Sequence, residues 1–238
     1  VGVYDDLLRV QDHDTAADRL RHRRATLQEQ AELARVEDEL VAVEQALAAA
    51  TTARDEVARR QRRGEDELAA TEAKLAEISA RLYSGAVTVP RELQAMQAEV
   101  ESLRRRQSSL EDGVLVAMTE REPHDAEIER LQDERARLDG EGARLRAAVA
   151  EAQAAIDADL AAEEEARQAA AAALPADLAA LYEQLRAKLG GVGAARLVSG
   201  RCTGCHLSLP ATEVDRIRRE PPDTLIRCDQ CGRILVRA

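Results

Sequence analysis

The chain has 238 residues, 33% of them charged and 45% apolar, but it contains no Phe, no Trp and only three Tyr. Without aromatic bulk it cannot build a thick core; Leu, Val and Ala seams between extended helices are what this composition permits. The net charge of −11 is uneven: residues 1–174 carry 24 basic and 38 acidic side chains, and residues 175–238 carry 10 and 7. The long part therefore repels nucleic acid, and only arginines of the tail could attract it.

Two series of apolar residues, alternating three and four apart, dominate the first 174 residues. One runs from Leu33 through Val36, Leu40, Val43, Leu47, Val57, Leu68, Leu75 and Ile78 to Leu82. The other runs from Leu93 through Met96, Val100, Leu103, Leu110, Val114, Ala117, Ile128, Leu131, Leu138, Leu145 and Val149 to Ile156. Such alternation marks a left-handed coiled coil. Upstream, the series continues through Leu27, Leu20, Ala17, Val10 and Leu7, with a phase slip near 27–33 that reads as a stutter in a continuous helix.

Between the series lies a turn at 83–91, where Gly85 can end one helix and Pro90 begin the next. Folding there pairs residues whose numbers sum to about 175, such as Leu82 with Leu93 and Leu20 with Ile156. Both seams stay in register, which predicts an antiparallel intramolecular hairpin over 1–174 with arms on the order of 100–120 Å long. Arg54 is expected to face Arg121, Gly64 to leave space beside Leu110, and Pro123 to kink the second arm. His124 reads as a packed or solvent-reaching histidine.

After Leu174-Pro175 an amphipathic helix is expected over 176–189. Residues 175–193 form a connecting segment that ends in a hinge, Gly190-Gly191-Val192-Gly193. The last part, 194–238, reads as strand, knuckle, helix (210–219), strand (225–227), knuckle, strand (233–236).

All four cysteines lie here, as Cys202-x2-Cys205 and Cys228-x2-Cys231, 22 residues apart. Each Cys-x2-Cys turn can present two thiolates from one loop, and two such turns complete a tetrahedral zinc shell. Gly204 and Gly232 suit the tight, partly left-handed backbone of a knuckle. Two disulfides are the alternative, and His206 could in principle replace one thiolate. A closed four-thiolate shell leaves no position for substrate, so one structural Zn2+ is expected, folding a small zinc ribbon. The fold class is thus mainly α: a long coiled-coil hairpin followed by a C-terminal zinc ribbon.

The hinge Leu82-Tyr83 with Pro90-Arg-Glu-Leu-Gln94-Ala-Met-Gln97, the run Leu178-Ala-Ala-Leu-Tyr182, and Cys202-Thr-Gly-Cys205 with Cys228-Asp-Gln-Cys231-Gly-Arg-Ile-Leu235 resemble a bacterial family of coiled-coil hairpins with a C4-type zinc ribbon. That family is described as nucleic-acid binding. The resemblance implies zinc at the four cysteines. Links of some relatives to sigma factors, flagellar gene expression and secretion machinery imply adaptor roles as well.

Three functions compete. The first is a non-enzymatic scaffold whose hairpin and ribbon contact protein partners, in transcription or secretion complexes. The second is nucleic-acid binding through Arg216, Arg218, Arg219, Arg227, Arg233 and Arg237, since guanidinium groups suit phosphate oxygens; the ribbon has no aromatic residue for base stacking. The third is a redox-sensitive zinc switch. No nucleophile–base pair, phosphate-binding Gly loop or paired acid points to an enzyme or a small-molecule substrate. The tip Ser84-Gly-Ala-Val-Thr-Val-Pro90 has no acidic residue, so it cannot carry magnesium as the tips of polymerase-entering factors do. No signal peptide is legible, although the chain begins at Val1 without Met, and no apolar run could span a membrane. Reduced thiols holding zinc fit the cytoplasm.

Overall fold

A computed structural model of the chain describes residues 2–221 and 223–237; the outer bounds of the two expected domains, Val1 and Ala238, lie outside the described residues. Helix α1 covers Val3–Ala25, α2 Gln28–Tyr83, α3 Pro90–Ala171 and α4 Ala176–Lys188. They are followed by β1 Ala194–Val198, β2 Arg201–Cys202, α5 Ala211–Arg219 and β3 Ile234–Arg237. The long helices are rich in Ala, Glu, Leu and Arg, the strongest helix formers. Among the described residues no helix is long and apolar enough to cross a membrane.

The chain divides into two compact units, Glu32–Arg144 and a second made of Val1–Ala31 with Leu145–Ala238. This division differs from the expected boundaries at 174 and 193, because α1 and the end of α3 pack with the C-terminal elements.

In the first unit α2 and α3 form the antiparallel hairpin. Its buried seam residues are Val36, Val57, Leu82, Val100, Ala117, Leu131 and Leu138, all members of the two heptad series. Side-chain pairs across the seam do not share a single sum, even within one stretch, where Gln107 also donates to Glu72. Lys74 pairs with Glu99 and Arg106 with Glu67, numbers summing to 173, whereas Arg60–Glu120, Arg54–Asp125 and Arg135–Glu44 sum to 179 or 180. Arg54 and Arg121, expected to face one another, converge on the same carboxylate, Asp125. Arg121 donates to Gln61 Oε1 at 3.1 Å and to Asp125, and Arg54 also reaches Asp125. Like charges at a seam repel, and Asp125 and Gln61 give these guanidinium groups acceptors. A Cβ at Gly64 would lie 3.0 Å from Val114 Cγ2, and Gly64 and Leu110 line one cavity, the space expected between them. Helix α3 continues through Pro123, forgoing one main-chain hydrogen bond.

At the turn, Leu82 closes the seam and Gly85 adopts φ +76°. Pro90 is the first residue of α3, where its missing N–H costs nothing.

The expected stutter near 27–33 is a break instead. Helix α1 ends at Ala25, and Thr26 sits at φ −121°, ψ 31°. Thr26 N–H and Thr26 Oγ1 both donate to the His22 carbonyl, at 3.0 and 2.8 Å, and so close the last turn of α1. Ion pairs and a hydrogen bond hold α1 to the end of α3: Arg24–Asp157, Arg21–Glu164 and Arg167–Asp14, with His13 Nδ1 at 2.7 Å from Glu163.

The sheet has the order β2-β1-β3, with β1 antiparallel to β2 and parallel to β3. Ser199 and Gly200, both at positive φ, form the two-residue turn between β1 and β2. The expected strand over 225–227 reduces to a single bridge, Arg227 with Ile234, because Leu225 turns outward to solvent.

Strand alternation gives this small sheet two buried faces. Ala194, Ile234 and Val236 pack with Leu7, Leu8 and Val10 of α1 and Tyr182 and Leu185 of α4. Ala195, Leu197 and Leu235 face the other way, into a cluster with Cys202, Leu209, Ile217, Ile226 and Cys228.

Candidate metal centre

The four sulfurs lie within 4.8 Å of one another, and Cys205 Sγ is 3.9 Å from Cys228 Sγ. A zinc ion about 2.3 Å from each of four tetrahedral thiolates separates neighbouring sulfurs by about 3.8 Å. A disulfide would bring two of them to about 2.0 Å, and all four cysteines are free. Cys202 and Cys228 are fully buried, at 0% and 1% exposure, whereas Cys205 and Cys231 are half-buried.

The two knuckles have the same backbone. His206 N–H donates to the Cys202 carbonyl at 2.8 Å, and Gly232 N–H to the Cys228 carbonyl at 2.7 Å. Cys202 N–H donates to Leu207 O, Cys228 N–H to Arg233 O, Leu209 N–H to Gly200 O and Leu235 N–H to Ile226 O. The bridges Arg201–Ser208 and Arg227–Ile234 complete the match. Each contact in the first knuckle recurs 26 residues later. The sequence carries this repeat as Arg-Cys-x2-Cys-x3-Leu at Arg201–Leu209 and Arg227–Leu235, a signal that cysteine spacing alone misses.

The repeat also locates the left-handed positions. They are His206 (φ 59°) and Gly232 (φ 73°), each directly after the second cysteine. Gly204, expected to serve the left-handed turn, is needed for another reason: a Cβ there would meet Arg233 Cδ at 2.6 Å and Ala195 Cβ at 3.0 Å. His206 stands outside the cluster of ligand atoms.

The electrostatics fit a cation bound by thiolates. Burial pushes the Cys202 thiol up and pushes Cys228 up to about 12, against main-chain N–H groups of Gly204, Cys205, Gln230 and Cys231 that favour the thiolates. Burial acts on Cys231 too, but hydrogen bonds from Arg233 and from the Cys228 and Cys205 thiols outweigh it and bring it down to about 7. Main-chain N–H groups aimed at buried sulfur suit a site whose remaining cost is offset by a bound divalent ion.

The six arginines are dispersed. Arg233 donates to the carbonyls of Val192 and Leu189, both at 2.9 Å. Arg237 donates to those of Ile217, Glu220 and Pro221, the open carbonyls at the end of α5. Arg227 donates to Gly232 O. On α5, Arg216 is held by Glu213 and approaches Glu220, and Arg218 lies 3.9 Å from Asp215. Arg218 and Arg219 are exposed.

The glycine segment 190–193, expected to be a hinge, is anchored. Gln11, buried in α1, accepts hydrogen bonds from Gly193 N–H (2.7 Å) and Ala194 N–H (3.2 Å) and donates to Gly191 O (3.1 Å). Arg233 holds Val192 from the other side. Beside it, Tyr182 donates to Asp14 Oδ2 at 2.7 Å, and Arg167 and Arg186 flank the same carboxylate. Sequence reading missed Gln11 and Asp14; each occupies a helical position that periodicity marks only as buried.

The model of the CT398-like coiled coil hairpin domain matches residues 10–190, and that of the C4-type zinc ribbon domain matches residues 201–235. The chain belongs to the CT398-like hairpin family. The CT398-like chain is 34% identical, over all of its length and 96% of the relative's, to the uncharacterized protein Rv2229c of Mycobacterium tuberculosis. Among solved structures it is similar to one from Mycobacterium smegmatis (TM-score 0.90, 28% identity, 100% and 99% of the two chains). CT398 of Chlamydia trachomatis shares the fold at TM-score 0.72 and 17% identity over 99% and 98%. HP0958 of Helicobacter pylori does so at 0.53 and 17% over 99% and 97%.

Proposed function

We propose that this CT398-like protein is a non-enzymatic scaffold, stabilised by one structural Zn2+ at Cys202, Cys205, Cys228 and Cys231, whose hairpin and ribbon contact protein partners in the cytoplasm. The observation that carries this reading is the use of the tail's arginines: Arg227, Arg233 and Arg237 spend guanidinium hydrogens on main-chain carbonyls of the ribbon and of the segment leading into it. Groups engaged in this way stabilise a fold, and fewer remain for phosphate. A thiolate shell closed on four sides supports a structural metal over a catalytic one. Solvent-facing positions of the hairpin supply charge patterns suited to transcription or secretion complexes.

Nucleic-acid binding is the second reading, favoured by the exposure of Arg216, Arg218 and Arg219 on one short helix. A redox-sensitive zinc switch is the third, favoured by the half-buried Cys205 and Cys231. Zinc release during hydrogen-peroxide titration tests the switch, and release at micromolar peroxide would favour it.

Binding of the zinc-loaded protein to labelled single-stranded RNA and duplex DNA across a salt series tests the main reading. The scaffold reading expects binding only at low salt, unchanged by an Arg216/Arg218/Arg219→Ala variant. Tight binding near physiological salt that the variant abolishes would overturn it in favour of nucleic acid.

A further inference from the structure

The hairpin turn is more apolar than a chain reversal requires. Gly85 and Ser84 suffice for the turn: Ser84 Oγ donates to Arg81 O at 2.8 Å and accepts from Ala86 N–H at 3.2 Å. Yet Tyr83 is 79% exposed and Val89 49% exposed, with Val87 half-buried between them. The other two tyrosines use their hydroxyls inside the fold, Tyr4 on Asp223 O and Tyr182 on Asp14. Among the described residues Tyr83 has no such partner. Large apolar side chains gathered on an exposed turn lose free energy in water unless something covers them.

Charge indicates what that something is. Between Glu77 and Glu92 the only charged residues are Arg81 and Arg91, so the turn itself carries positive charge alone. Both are exposed and, among the described residues, neither has an ion-pair partner. The main chain adds donors, since the amides of Val87, Thr88 and Val89 make no hydrogen bond within the described residues. The tip thus combines an aromatic anchor, two valines, two guanidinium groups and three open N–H donors.

We propose that the tip, Arg81–Arg91, is a docking element for a protein surface that offers an apolar pocket rimmed by Asp or Glu. Tyr83 is the anchor: aromatic residues surrounded by charge carry much of the affinity in protein interfaces. Arg81 and Arg91 select acidic rims. A single-stranded nucleic acid could also stack on Tyr83, but Val87 and Val89 offer it nothing, and one ring is a short platform for successive bases. The proposal deepens the scaffold reading and rests on it.

The test uses the full-length zinc-loaded chain and two immobilised peptide libraries. One presents Leu, Ile or Phe between Asp and Glu residues, and the other presents the same apolar residues between Lys and Arg. Selective retention on the acidic library is expected, at least tenfold weaker for Tyr83→Ser and for Arg81→Glu/Arg91→Glu. Leu115→Ser, at a position that is also exposed (60%) but away from the turn, should bind as the parent does. Equal retention on both libraries, retention unchanged by the tip variants, or tip-dependent binding of oligo(U) alone would overturn the proposal. A failed peptide test together with absent binding in the nucleic-acid salt series would remove the tip's role and leave the scaffold reading standing.

Discussion

At the scale of single residues, the positions that decide stability are small or polar rather than bulky. A Cβ at Gly193 would lie 2.9 Å from the Tyr182 carbonyl oxygen and 2.9 Å from its ring, so backbone would have to move. Gly193→Ala is expected to cost about 1–3 kcal/mol in chemical denaturation, as overpacked sites do. Gly140, in the interior of α3 with nothing within 4 Å, is the opposite case, and Gly140→Ala should stabilise by about 0.5–1 kcal/mol. Gln11→Leu would strand the N–H groups of Gly193 and Ala194, at a cost of about 1–3 kcal/mol for each buried donor left unpaired. Tyr182 carries a pH dependence. Burial, then its hydrogen bond to Asp14 and the charge of that carboxylate, raise its phenol well above the ordinary range. A raised folded-state pKa means the folded chain holds this proton more tightly. The contribution is complete below the unfolded phenol's pKa of about 10 and is lost as pH rises beyond it. Stability should therefore fall above that pH, and Tyr182→Phe should flatten the fall.

At the scale of elements, two helices alone cannot bury every seam residue, and the hairpin relies on a few complete burials. Leu138 is 1% exposed and Leu115 is 60% exposed, although both are leucines of α3. Leu138→Ala should cost about 2–4 kcal/mol and Leu115→Ala less than about 0.5 kcal/mol in urea denaturation, because only the first opens a cavity. The heptads were sufficient to name the seam residues, since a side chain in phase with its partner helix has few other places to go. They were insufficient to fix the pairing to the residue. Long side chains such as Arg121 and Gln61 settle that by finding hydrogen-bond partners, and periodicity does not encode partners. The break at Thr26 shows the same limit. A phase slip is compatible with a stutter or with a chain break, and periodicity by itself does not choose between them.

At the scale of the whole molecule, the zinc-side core and the helix-side core share one three-stranded sheet. Chelation of the metal, or Cys228→Ser, is expected to open the Ala195–Leu235 cluster and make residues beyond Gly190 sensitive to trypsin. Far-UV circular dichroism should change little, because the long helices owe nothing to the metal. Structural zinc sites of this kind contribute about 10–16 kcal/mol in isolated finger peptides, so the effect should be large. Retention of the protease-resistant tail in strong chelator would contradict it. The sequence by itself determined the hairpin, its turn and the four-cysteine centre, because heptad period, a Gly-to-Pro turn and Cys-x2-Cys spacing are local patterns with few physical realisations. Only the tertiary structure decided that Gln11 and Arg233 fasten the Gly190–Gly193 segment, that α1 packs on the sheet, and that three of the six candidate arginines brace the ribbon. Those outcomes depend on which buried N–H and C=O groups need partners once the chain has folded, and residues 180 positions apart in sequence give no sign of it beforehand.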